Sequence, residues 1–151
     1  MTTTTAPAVF AAVFIALFVA HQVADHWVQT EHQAARKGDP GWPGRLACAR
    51  HVATYTVTAF VAVGAVNDAL GLQLDVWRLV AGLTVSAVTH YIADRRTPLK
   101  RLAALMGHRG FYALGTCRAG RDDNPSLGTG AYALDQSFHY LFLFVAALVI
   151  A

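Results

Sequence analysis

Three short segments of this chain pair an imidazole with a carboxylate four positions away: His21 and Asp25 in HQVAD, His90 and Asp94 in HYIAD, and Asp135 and His139 in DQSFH. A further histidine, His51, stands in an otherwise apolar stretch. On an α-helix an i, i+4 pair shares one face, one turn apart. Imidazole and carboxylate without thiolate form the borderline-to-hard ligand set that holds zinc, manganese or iron and not copper(I). The chemistry suggested is a divalent-metal site, with His21, Asp25, His51, His90, Asp94, Asp135 and His139 as candidate ligands. So many donors exceed one tetrahedral ion. They suit two ions about 3.5–4 Å apart sharing a carboxylate, or one ion whose His ligands are oriented by Asp.

The surroundings make these pairs unusual. Of 151 residues, 55% are hydrophobic and 14% charged, with a mean hydropathy of +0.39. A soluble domain carries charge at roughly a quarter of its positions, so composition excludes that class. Four apolar windows, about 8–28, 46–66, 75–94 and 131–151, each approach the ~20 residues that cross a ~30 Å hydrocarbon core as a helix. The reading is all-α: residues 1–151 as a single integral membrane domain, an antiparallel transmembrane four-helix bundle. All the paired residues fall inside the windows, where an ionisable group costs several kcal/mol unless paired, ligated or wetted. The first window lacks the basic region of a secretory signal and is expected to be retained. Ala16, Ala20, Ala24, Gly64 and Gly82 are small residues of the kind that let membrane helices approach closely.

Basic residues set the expected orientation. Arg36, Lys37, Arg45 and Arg50 lie in or beside the first link, and Arg95, Arg96, Lys100, Arg101, Arg109, Arg118 and Arg121 in the third; only Arg78 stands by the second. The first and third links then face the cytoplasm and both termini the opposite side, in a multi-pass protein of the bacterial inner membrane. The formal net charge of +3 needs no nucleic acid; topology and anionic membrane lipid account for it. From each window's midpoint at 1.5 Å per residue, all seven polar residues fall in the cytoplasmic half, between ~3 and ~14 Å from the midplane. They are expected to meet in one volume. The link 95–130 begins with an amphipathic stretch, 97–106, that places Leu99, Leu102 and Leu105 on one face and suits a short helix lying on the membrane surface. Cys48 and Cys117 form no CxxC pair and no disulfide is expected.

Some neighbours can support the ligands. Gln29 is four residues from Asp25 and can hydrogen-bond it; Tyr55 is four from His51, placed to cap a histidine or donate to a bound oxyanion; Gln136 adjoins Asp135. Thr89 and Ser137 are further supporting candidates. His26 falls on another face, His32 and His108 in loops, and Trp27, Trp42 and Trp77 read as interface anchors.

The order His21, Asp25, Gln29, then His51, Tyr55, then His90, Asp94, then Asp135, Gln136, His139 resembles the domain of unknown function 3307 family, across about residues 10–148. That resemblance implies a small bacterial membrane protein and no settled activity. A more distant similarity to membrane-bound metal-dependent hydrolases implies intramembrane His and Asp acting on a substrate. The leading expectation is a metal-dependent hydrolase of a lipid-borne ester or phosphoester, a phosphate-bearing substrate. Asp25, Asp94 and Asp135 would serve as ligand, bridge or general base around zinc, manganese or iron. Two alternatives are a proton or metal-ion transporter, disfavoured because the other halves of the windows are apolar, and a structural or accessory protein whose Asp–His network fixes helix register.

Overall fold

A computed structural model describes residues 5–116 and 128–151, and every regular element among them is helical. Helix α1 (Ala6–Val23) carries Pro7 in its first turn, where a fixed φ and a missing N–H do no harm. It continues into a π-helical turn, Ala24–Val28, in which the Gln29 N–H donates to the Ala24 carbonyl at 2.8 Å. Such a turn takes in one extra residue, re-aims its side chains, and is frequent at functional sites. Extended backbone at Gln29 and Thr30 ends it. A capping box then starts α2 (Glu31–Arg36): Thr30 Oγ1 accepts from the Gln33 N–H, and Gln33 Oε1 accepts from the Thr30 N–H.

Helix α3 (Gly41–Leu70) has 30 residues, about 45 Å at 1.5 Å each. It therefore overshoots a ~30 Å hydrocarbon core. It ends at Gly71, whose φ of 61° lies in the left-handed region that glycine enters freely. Asp75 caps α4 (Val76–Asp94) by accepting from the Trp77 and Arg78 N–H groups, and Thr129 caps α7 (Gly130–Ile150) through the Tyr132 N–H. Between them lie α5 (Thr97–Leu105) and α6 (Arg109–Tyr112).

The segment Ala6–Val28 together with α3, α4 and α7 makes four helices long and apolar enough to cross a membrane. These match the four apolar windows, except that α3 extends well past 46–66 at both ends. Helix α1 packs on α3 and α7, α4 packs on α3 and α7, and the four close around a shared interior. Part of that interior is dry: Val13, Leu17, Val63, Leu143, Ala146 and Ile150 are buried in one apolar cluster. The outer surface is apolar too, with Ile15, Val57 and Val61 each more than 60% exposed. An apolar exterior on an apolar interior is what a helix bundle shows to lipid.

Small residues act where expected at Ala16, Ala20 and Ala24, all buried, and at Gly82, where an added Cβ would collide with the Ile150 side chain and the Ala146 carbonyl. Gly64 departs from expectation. A Cβ there meets nothing within 4 Å, so it is not a point of helix approach. The amphipathic stretch is helical, but its inner face is Leu99 with Ala103; Leu102 and Leu105 point outward, because α5 turns toward α7 and α4 instead of lying flat on all three leucines. Cys48 is buried and its thiol donates to the Tyr91 carbonyl at 3.8 Å. Cys117, Arg118 and Arg121 lie outside the described residues.

Candidate metal centre

The four long helices deliver their ionisable residues to one place. Helix α3 contributes His51 and α4 contributes His90 and Asp94, while the π-turn contributes Asp25. The Nε2 atoms of His51 and His90 approach to 2.9 Å. Asp94 Oδ2 lies 3.2 Å from the first and 3.3 Å from the second. Asp25 Oδ1 lies 3.4 Å from His51 Nε2 and 3.6 Å from His90 Nε2. Ligands about 2.0–2.1 Å from a tetrahedral ion are ~3.3–3.4 Å apart; the four carboxylate–imidazole separations are close to that spacing, while the two imidazoles share a hydrogen bond and would have to part slightly to hold one cation.

His21 and His139 extend the cluster. His21 Nδ1 is 3.7 Å from Asp25 Oδ2. His139 Nδ1 is 2.9 Å from its own helix's Asp135 carbonyl oxygen and 3.5 Å from Asp135 Oδ2. The His21 and His139 rings stack at 4.8 Å, and His90 meets His139 edge-on at 4.4 Å. Three groups each present ligand atoms within 4.8 Å of one another: His21, Asp25 and His90; His51, His90 and Asp94; Asp94, Asp135 and His139. Shared members join all seven residues into one assembly.

Burial gives this assembly its energetic character. His21 and His51 are fully buried and His90, Asp94 and His139 are 2–4% exposed. Both His21 nitrogens, the Nδ1 atoms of His51 and His90, and His139 Nε2 are buried without a hydrogen-bond partner, while Asp25 Oδ1 and Asp94 Oδ2 face the His51 and His90 Nε2 atoms at 3.2–3.6 Å. A buried polar group left unpaired costs ~1–3 kcal/mol. Several together are a standing demand for a cation or protons.

Sequence reasoning missed one charged member. Lys37 Nζ lies 2.9 Å from Asp94 Oδ1 and is 12% exposed. It arrives because α2 folds the first link back over the bundle end, where Arg95 pins it by donating to the Lys37 carbonyl at 2.6 Å and to the Asp39 carbonyl. Gly44 permits this approach, since a Cβ there would collide with the Asp39 carbonyl. The signal was present as Thr30-x-x-Gln33, a capping-box pattern that announces a helix between the first two spans.

The supporting residues sit differently from expectation in several cases. Gln29 donates to the Asp25 main-chain carbonyl at 3.0 Å and not to its carboxylate, because the π-turn brings that carbonyl within reach. Tyr55 stacks on His90 at 4.0 Å, and its hydroxyl shares a 2.6 Å hydrogen bond with Ser86 Oγ and not with His51. Gln136 donates to Asp135 Oδ2 at 3.3 Å and accepts from Tyr140, which in turn accepts from Gln22. Among the described residues, Thr89 and Ser137 bond only to carbonyls of their own helices.

A cleft of about 520 Å³ opens onto this assembly, lined by Asp25, Asp94 and Asp135 with Lys37, Arg96 and Tyr112. His26, read as facing away, also lines it. Burial, reinforced by the Asp135 charge and opposed by Arg96, pushes the Tyr112 hydroxyl above the ordinary tyrosine pKa, so it remains a hydrogen-bond donor at neutral pH. The cleft is thus acidic at its floor with cations and a phenol around it. No curated protein and no solved structure matches the chain. The model of the family described as protein of unknown function (DUF3307) matches residues 13–151, nearly the whole chain and every residue of the cluster, and the protein belongs to that family.

Proposed function

We propose that this is an intramembrane metal-dependent hydrolase whose substrate is a phosphoester carried by a lipid. The observation that carries the reading is the convergence of four imidazoles and three carboxylates, with unpartnered buried lone pairs, beneath an open cleft. His51, His90 and Asp94, with Asp25 beside them, would hold the cation. Charge supports a dication: the three carboxylates against the Lys37 ammonium leave −2 when the imidazoles are neutral. A zinc, manganese or iron ion held there would lower the pKa of its water toward ~7 and polarise a phosphoryl oxygen.

The chain's own groups supply the rest. Lys37 and Arg96 attract and orient the phosphate, and Tyr112 donates to it. Asp25 lines the cleft and takes a proton from the attacking water, with His21 behind it at 3.7 Å to stabilise the protonated pair. The water oxygen would bond to phosphorus as the ester P–O bond breaks, and the leaving oxygen would take up the proton that Asp25 had accepted, which returns Asp25 to its carboxylate form. The orientation we propose, with both termini away from the cytoplasm, puts the cleft at the cytoplasmic face of a bacterial inner membrane, open to lipid head groups. The dry cluster of Val13, Leu17, Val63 and Ile150 supports a one-sided pocket over a conduit for ions.

Elemental analysis of purified protein is the first test. About one equivalent or more of a divalent metal, lost in His90→Ala along with phosphodiesterase activity on mixed phospholipid micelles, is the expected result. Absence of stoichiometric metal after reconstitution with zinc, manganese and iron refutes the reading and leaves the register-fixing Asp–His network in its place.

A further inference from the structure

We infer that the centre takes a second divalent cation on its Asp135–His139 side, and takes it together with a phosphate-bearing anion. This rests on the metal reading above and deepens it.

The tautomer of His139 points the way. Its Nδ1 lies 2.9 Å from the Asp135 main-chain oxygen, which can only accept, so Nδ1 carries a hydrogen and, in the neutral ring, Nε2 holds the lone pair. That Nε2 is buried without a partner on a ring only 4% exposed. A histidine that donates to a carbonyl through one nitrogen and offers the other is the usual arrangement of a metal ligand. Asp94, Asp135 and His139 present atoms within 4.8 Å of one another, and this group shares only Asp94 with the group formed by His51 and His90. Two donor groups that share Asp94 would suit a pair of ions, one on either side of that residue. His21, fully buried, stacks on His139 at 4.8 Å but groups with Asp25 and His90, so it belongs to the first side.

Charge decides the condition for filling it. One dication cancels the −2 of three carboxylates and one ammonium. A second would leave +2 in a poorly solvated site, which is heavily penalised unless an anion enters with it. The cleft over Asp94 and Asp135 is large enough at about 520 Å³, and Lys37 and Arg96 line it. A phosphate group carries close to −2 near neutral pH. Second cation and phosphate therefore bind as a unit.

The test is equilibrium dialysis of full-length protein in a phosphate-free detergent with zinc, with and without methylphosphonate. The expected ratio is about one zinc per chain without the anion and about two with it, and one in both conditions for Asp135→Asn. Phosphatidate in the micelles, replacing methylphosphonate, raises the ratio if the phosphate arrives on a lipid; a response to methylphosphonate alone assigns a soluble ester. One zinc in both conditions for the wild type overturns the second cation and leaves the metal reading intact. Two zinc ions without any anion overturn the coupling. No bound zinc overturns both. Circular dichroism of Asp135→Asn, equal to wild type, establishes that its loss is not misfolding.

Discussion

His51→Ala is the sharpest perturbation of this centre. His51 is fully buried, and its Nε2 is 2.9 Å from His90 Nε2, 3.2 Å from Asp94 Oδ2 and 3.4 Å from Asp25 Oδ1. Removing the ring takes away the donor that all three approach. A ligand that binds only the folded state at a hundred times its Kd stabilises by ~2.7 kcal/mol. For a chain of this size each kcal/mol moves Tm by ~2–4 °C, so metal should raise the wild-type Tm by ~5–11 °C. In His51→Ala the rise should fall below ~2 °C, because the remaining carboxylates lose their shared imidazole partner. Without metal the two proteins should melt closer together: the substitution leaves a cavity but also removes a buried Nδ1 that has no partner. Thermal unfolding followed by intrinsic fluorescence, with and without zinc, manganese or iron, measures both quantities. A wild-type Tm that no metal moves, or a His51→Ala variant with the full rise, refutes the argument.

Other outcomes follow from the same geometry. Gly82→Ala should destabilise by ~1–3 kcal/mol and lower metal content, since its Cβ pushes α4, which carries His90 and Asp94, away from α7. Gly64→Ala, with open space around the new methyl, should instead be neutral or stabilise by up to ~1 kcal/mol; chemical denaturation reads both signs. Tyr55→Phe should cost ~1–3 kcal/mol by leaving Ser86 Oγ unpartnered and keep its metal, as measured by elemental analysis. Metal affinity should fall as pH drops, because protons compete for the imidazole and carboxylate ligands, and recover as pH rises; dialysis at pH 5.5 and 7.5 checks the sign.

Much of this protein is legible in one dimension. The ~20-residue apolar runs had to become helices, because a helix satisfies its own backbone in lipid. The i, i+4 spacing had to put each imidazole and its carboxylate on one face, whatever the helix packed against. Those two facts name the metal-type donors. Local signals were also sufficient, though unused, for α2: Thr30 and Gln33 spell its capping box.

What the sequence by itself determined is therefore the set of spans and the chemistry of the seven side chains. The tertiary structure alone decided their register, and with it which donors share a point. Asp25 reaches His51 and His90 from a π-turn that no spacing rule announces, since an inserted i→i+5 bond depends on how the helix end packs. Lys37 entered the sequence as one topological charge among several, yet the fold lays it on Asp94 through Arg95, distant in the chain. Tyr55 was spaced to serve His51 but belongs to His90 and Ser86, because packing between α3 and α4 and not position along α3 selects its neighbour. Periodicity specifies which face a residue occupies; only the docking of one helix on another specifies what that face meets.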